Sequence, residues 1–393
     1  MTSSRIGVIG LGQRSARILI AMKEVGWAVE ITGVVDEAPA GAPVLEAAGI
    51  DVGPAFASVD ALLGAGPFDL LIVGSPNHLH LDHLKTTLGA GYPILCEKPI
   101  VRTEAESVEL ARILAARPKT APPLFVGLVL RSAPIVRTIA ERVDSGALGK
   151  LVSIDATEHL SPEHGAYIAR NWRRRAAWGG SYLLDKTCHD FDMFNRLIGA
   201  RATRIASMGG RSIFSPAAAK ATPIYDDGTP AYQAVGAGWE GAESPFQADM
   251  DLADHQTALV EYANGVRLSF HSNSHAAITE RRWNLIGTDG QLSADLSRNR
   301  ILFRRALSRG DVEEVDLGGL SAESHNGADH AMARDLLAAL RGERAFPVSP
   351  WDSLEAGLTV MAIDRAMALG EMLDCRPMWA EFDAARSAQP ALA

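Results

Sequence analysis

Short apolar runs punctuated by glycine and proline alternate with stretches of helical periodicity over the first third of the chain. Ile6–Ile9, Ile31–Val35, Phe68–Gly74, Ile94–Cys96 and Leu124–Leu128 read as buried strands. Between them, Ile18, Leu19 and Met22, and later Leu81, Leu84 and Leu88, fall on single helical faces. This strand–helix rhythm predicts an α/β domain, a doubly wound parallel sheet, over 1–127.

The pattern then changes. A helix is predicted through Ile135–Val143, and another carries Leu183, Leu184, Phe191 and Phe194. From Gln256 to Tyr262 the alternation has period two; an Asn264-Gly265 turn leads into Val266–Phe270, which is a hairpin signal. Arg282–Gly287 and Ile301–Arg304 follow, so 128–393 is expected to be an α+β domain with a large open, mostly antiparallel sheet. Residues 215–247, rich in Pro, Gly and Ala, interrupt it as a lid, an oligomer arm or a disordered excursion. Helices at Ala328–Leu340 and Leu354–Leu369 close the chain, with a frayed tail expected from Ala384.

Composition narrows the class. A chain of 393 residues exceeds what one core usually supports, and 47% hydrophobic with 22% charged residues is ordinary for a globular protein. A net charge of -9 argues against nucleic acid or an anionic membrane as main partner. The longest apolar runs, such as Leu70–Val73, are too short to span a bilayer. The first strand begins almost at the amino terminus, so no signal peptide is expected, and three scattered cysteines, Cys96, Cys188 and Cys375, fit a reducing cytoplasm. The sets Glu158, His159, Glu163, His164 and His271, His275 lack metal-ligand spacing, and no metal is expected.

Candidate chemistry sits at the ends of the predicted strands. Gly10-Leu11-Gly12-Gln13-Arg14-Ser15 is a strand-to-helix turn whose glycines would let backbone N–H groups approach a pyrophosphate; Ser15 stands where a third glycine is usual. Asp36 closes the next strand, where an acid accepts from ribose hydroxyls and repels a 2′-phosphate. No arginine follows, so NAD is favoured over NADP, a turn or helix cap being the other reading of Asp36. Glu97-Lys98 lies at a strand's carboxyl end and is stopped by Pro99; alone, such a pair would be a surface salt bridge. Asp185 and His189, four residues apart, share one helical face.

The ordered set of glycine turn, Asp36, Ser75-Pro76-Asn77-x-x-His80, Glu97-Lys98-Pro99 and Gly179-Gly180-x(4)-Asp185-x(3)-His189-x(2)-Asp192 resembles the glucose-fructose oxidoreductase, inositol dehydrogenase and MocA (Gfo/Idh/MocA) family. The resemblance implies NAD bound by Gly10, Gly12, Gln13, Arg14, Asp36, Ser75, Pro76, Asn77, His80, Glu97 and Lys98. It implies Lys98, Asp185 and His189 as the catalytic group, with His189 as base and Lys98 holding the reacting oxygen. Lys186 departs from the commonest pattern and shares or replaces part of Asp185's role. In the run Asn171–Arg175, either a solvated face or an anion reader, Arg174 joins Lys98, Asp185, Lys186 and His189 as a substrate-binding candidate.

The expected activity is therefore a cytoplasmic NAD(H)-dependent oxidation of a secondary alcohol on a sugar, cyclitol or sugar acid, by a homodimer or homotetramer. Two alternatives stand beside it: a glycoside-cleaving enzyme that oxidises its sugar transiently without net NADH, and a dinucleotide-binding regulator with no turnover. Cys188, beside His189, reads as a small buried apolar residue rather than a nucleophile.

Overall fold

The structure, a computed structural model, describes residues 4–219, 223–246, 249–318 and 326–387. They form two compact units. Those within Met1–Pro134, Ser321–Gly357 and Ala380–Ala393 make the first, and those within Ile135–Leu320 and Leu358–Trp379 the second.

The first unit is built on five parallel strands in the order β2-β1-β3-β4-β5. They are β1 (Ser4–Ile9), β2 (Val29–Val35), β3 (Leu70–Val73), β4 (Ile94–Cys96) and β5 (Leu124–Val126). Every residue of β3, β4 and β5 is buried, as expected for a parallel sheet covered on both faces. Helix α1 (Gln13–Glu24) turns Ile18, Leu19 and Met22 inward. Short helices α2 (Ala42–Ala47) and α3 (Val59–Leu63) follow β2, and α4 (His80–Thr87) and α5 (Glu104–Ala116) flank β4. The chain order places the topological switch point between β1 and β3, where ligands of such sheets bind.

The second unit carries nine strands in the order β13-β12-β11-β10-β6-β9-β8-β7-β14. In chain order these are β6 (Leu151–His159), β7 (Ala202–Gly210), β8 (His255–Tyr262), β9 (Arg267–Asn273), β10 (Glu280–Gly287), β11 (Gly290–Asp295), β12 (Arg300–Arg305), β13 (Glu313–Asp316) and β14 (Leu373–Asp374). The β8–β9 hairpin turns at Gly265, whose φ of 89° suits glycine. Among the described strands of this sheet only β6 and β9 pair in parallel, the others antiparallel. Helices α6 (Pro134–Asp144), α7 (Pro162–Arg170), α8 (Ala176–Gly179) and α9 (Tyr182–Ile198) precede or follow its first strand. Phe191 and Phe194 of α9 pack edge-on against Phe270 of β9, and Phe194 against Trp283 of β10, at centroid distances of 5.1 to 6.1 Å.

The structure differs from the sequence expectations at two points. The sequence reading placed all of 128–393 in one domain, but α10 (Ala328–Leu340) packs on α1 and belongs to the first unit. Helix α11 (Pro350–Leu369) begins in the first unit and ends in the second. The tail from Ala384 is not frayed as far as described: α12 (Arg376–Ser387) includes it, anchored by the buried Phe382 and Ala385. Of the excursion 215–247, residues 215–219 hold a 3-10 turn at Pro216–Ala218, and 223–246 hold an isolated Ile224–Pro230 bridge and otherwise turns; 220–222 and Gln247 lie outside the described residues.

Candidate active site

At the switch point of the first unit, β1 ends in Gly10, whose φ is +87° and where an added Cβ would lie 2.3 Å from the backbone nitrogen of Ser75 after β3. Only glycine fits there. Ser15, in place of the third glycine, donates its hydroxyl to the Gly10 carbonyl at 2.7 Å and so ties α1 to this turn. Gly12 caps α1 without a side chain, no acid stands in the first turn, and a Cβ on Gly12 would meet nothing within 4 Å. Exposed Gln13 opens the helix. An uncapped, acid-free helix start reached through bare glycine fits a dinucleotide's pyrophosphate.

Asp36 follows β2, and its carboxylate accepts from the backbone nitrogens of Leu11, at 2.6 Å, and Ala38, at 2.7 Å. The acid is thereby fixed beside the glycine turn, and each oxygen keeps a lone pair for a ribose hydroxyl. The turn-cap reading of Asp36 and the ribose reading are thus compatible.

After β3, Ser75 and Asn77 are buried, with Pro76 between them. His80 has a different part from the one expected. It is fully buried, with Nδ1 2.8 Å from the Pro99 carbonyl and Nε2 2.9 Å from the Ser75 carbonyl. With one N–H to donate in its neutral form, the ring bonds one of these carbonyls and lies against the other, so it sits between the Ser75 and Pro99 loops, a positioning contact that the motif alone did not reveal. Burial, reinforced by His80, pushes His83 down to about 4, leaving a neutral ring whose Nδ1 sits 2.9 Å from Ser75 Oγ.

Glu97 is likewise a bracket. Buried at the end of β4, it accepts from Arg14 Nε at 3.1 Å and from the backbone nitrogen of Lys98 at 3.2 Å. Arg14 also donates to Asp329 of α10 at 2.6 Å. Burial works against the guanidinium's charge, but Glu97 and Asp329 outweigh it and hold Arg14 above its ordinary value. These two expected cofactor ligands are therefore committed to each other, and they fix the backbone that presents the half-exposed Lys98.

In the second unit, α9 starts at Ser181, whose Oγ accepts from Leu184 N at 2.9 Å, and ends at Gly199 in the left-handed region. Asp185 and His189 are both buried on this helix. Asp185 Oδ1 accepts from Arg173 Nε at 3.1 Å, and its Oδ2 lies 3.4 Å from Lys186 Nζ. Arg173, within the run expected to be either a solvated face or an anion reader, is also held over the Trp172 ring at 4.2 Å and donates to Asn171 Oδ1 at 2.9 Å. One residue past His189, fully buried Asp190 takes Arg281 Nε at 2.9 Å and Trp283 Nε1 at 3.0 Å, locking α9 to β10.

Arg174 is not available to a substrate as expected. It is buried, with Nε donating to Asp249 at 2.6 Å and Nη1 donating to the carbonyls of Asn171 and Glu240. Arg170 donates to the carbonyls of Tyr232, Val235 and Ala242. Arg170 and Arg174 are thus bonded within the protein, an arrangement that composition cannot distinguish from anion recognition. Cys188 is buried as expected, and burial raises the thiol of Cys96 well above its ordinary value. Among the described residues no three His, Cys, Asp or Glu side chains cluster as metal ligands, and no helix is long and apolar enough to cross a membrane.

A glycine turn at the switch point of a parallel sheet, an acid fixed beside it and a bare helix start define a Rossmann-type dinucleotide-binding protein. Residues 4–125 match the oxidoreductase family, NAD-binding Rossmann fold, and 136–293 match the GFO/IDH/MocA C-terminal domain. The chain belongs to the GFO/IDH/MocA family, and its first unit carries that family's NAD-binding fold. An inositol 2-dehydrogenase of Corynebacterium glutamicum is 26% identical over 52% of this chain and 56% of its own. A 1,5-anhydro-D-fructose reductase of Ensifer adhaerens is 24% identical over 81% and 84%. The chain spans between 49% and 64% of the length of the first three curated relatives it matches. A levoglucosan dehydrogenase solved with NADH and levoglucosan shares the fold at a TM-score of 0.75 and 19% identity, over 95% of this chain and 100% of that one.

Proposed function

We propose that the protein is an NAD(H)-dependent dehydrogenase that moves hydride between nicotinamide and a secondary alcohol or ketone of a sugar or cyclitol. The observation carrying this reading is the bracket of Arg14 and Glu97, which fixes Lys98 at the carboxyl end of β4 in a sheet whose switch point fits a dinucleotide. When bound, the cofactor supplies the hydride acceptor. Lys98 donates to the substrate oxygen and stabilises the charge that grows on it as its proton leaves. His189 takes that proton. Asp185, gripped by Arg173, accepts from a neighbouring hydroxyl, and Lys186 beside it donates to a hydroxyl oxygen.

The engagement of Arg170, Arg173 and Arg174 within the protein favours neutral polyols over sugar acids. The relatives named for inositol, anhydrofructose and levoglucosan support the same class. One face of the second unit's sheet leaves Met208 and Leu259 exposed beside Ser269 and His271, and we assign that face to a homo-oligomer contact.

The test is NADH formation, followed by absorbance with excess NAD across polyols, free sugars and glycosides, with sugar release measured in parallel. NADH accumulation is expected. Sugar release without NADH would replace the reading with a redox-neutral glycosidase, and neither signal would return the chain to a dinucleotide-binding regulator.

A further inference from the structure

The segment 223–246 has little regular structure, yet it is held at many points by charged side chains that close on its backbone. Glu163 of α7 accepts from the backbone nitrogens of Tyr232 and Ala234 and from the Tyr225 hydroxyl. Arg170 reaches the Tyr232 and Val235 carbonyls, Asn171 Nδ2 reaches the Ala237 carbonyl at 2.7 Å, and Arg174 reaches that of Glu240. Tyr232 and Phe246 pack with Phe214 and His275 in a ring cluster, and Phe214 and Phe246 are buried. A segment fastened this way is a built surface.

What it delivers is Trp239. This indole is 38% exposed and lies 5.4 Å from the indole of Trp178, tilted by 37°. Trp178 belongs to α8, directly before the Gly179-Gly180 entry to α9. Arg175 lies 4.5 Å over its ring and is itself paired with Asp249. The Asn171–Arg174 turn that anchors 237–240 also supplies Arg173, which holds Asp185. The aromatic pair is thus tied, within one unit, to the amino-terminal end of the helix bearing Asp185 and His189.

An apolar pair sealing a loop would bury its rings. Here the loop carries an indole outward beside glycines: a Cβ on Gly236 would meet nothing within 4 Å, and Gly238 has φ +71°. Flat indole faces with polar neighbours are what the C–H face of a pyranose ring covers, because they exchange apolar area while leaving the hydroxyls wet. We propose that the outward face of Trp239, backed by Trp178, is a stacking subsite for a sugar ring beyond the one oxidised, so that the substrate is a glycoside or short oligosaccharide. This rests on the assignment of α9 to the reaction.

The experiment compares wild type, W239A, W239F and W178F on a monosaccharide and on glycosides of it, and titrates each protein with cellobiose, maltose and glucose by tryptophan fluorescence. In W239A, kcat/KM for the glycoside should fall at least tenfold more than for the monosaccharide, with the loss in KM, and W239F should recover most of it. A disaccharide should change the wild-type fluorescence, and W239A should weaken its binding at least tenfold. Equal losses on both substrates, or fluorescence indifferent to disaccharides, would overturn the subsite. If no sugar is oxidised at all, the dehydrogenase reading fails while the titration still decides whether the indoles bind saccharide.

Discussion

In the proposed reaction Lys98 holds the reacting oxygen, and its support is visible one position earlier. Lys98→Ala is expected to lower kcat/KM by about a thousandfold, the scale of losing a donor to developing charge, with the thermal melting curve unchanged. His80 makes the contrasting case. His80→Ala leaves the carbonyls of Ser75 and Pro99 without their buried partner, at a cost of about 1–3 kcal/mol in urea unfolding. NAD affinity should fall with it, because Ser75 is no longer held beside Gly10. A variant as stable as wild type would mean that water or a neighbouring group replaces the ring. The motif Ser75-Pro76-Asn77-x-x-His80 was legible as a pattern, but its histidine could be recognised as a clamp only once Pro99 was seen to stand against it.

At the scale of elements, α9 is held from both sides. Asp190, Arg281 and Trp283 lock it to β10, and Asp364 of α11 hydrogen-bonds Ser181, its cap, and Gln256 of β8. Burial pushes the Asp364 carboxyl up to about 7, against which the bonds from Ser181 and Gln256 work only in part. An acid raised on folding binds more protons in the folded state than in the unfolded one. Its contribution to stability is therefore full below its unfolded value near 3.8 and is lost as pH rises through about 7. Asp364→Asn should match wild type in acid and become the more stable protein toward pH 8, by up to about 4 kcal/mol and less where solvent reaches the site. Parallel stability curves for the two proteins from pH 4 to pH 8 would show that the carboxyl does not titrate there. Helix α9 itself was plain from its apolar spacing. Asp364 was not, since a lone acid in a helix reads as solvated until its neighbours are known.

For the whole molecule, NAD at a hundred times its dissociation constant should stabilise the protein by about 2.7 kcal/mol, and NADP by less at equal concentration, because the fixed carboxylate of Asp36 opposes a 2′-phosphate. Equal thermal shifts with both dinucleotides would contradict the part given to Asp36. If the open sheet face joins copies of the chain, Leu259→Glu, at a residue 58% exposed, should reduce the mass measured by light scattering without loss of folding. The sequence by itself determined both kinds of sheet, the hairpin at Gly265, the glycine turn, Asp36, Glu97-Lys98 and the helix of Asp185 and His189. All of these rest on periodicity and turn chemistry that act over a few residues. Tertiary structure alone decided which charges are spoken for. Arg14 meets Asp329 across 315 positions, α10 returns to α1, and Arg174 closes on Asp249 and Glu240 in place of a substrate. Ion pairs carry no periodic signature, and the cost of closing a long loop grows so slowly with its length that sequence distance does little to forbid a distant partner.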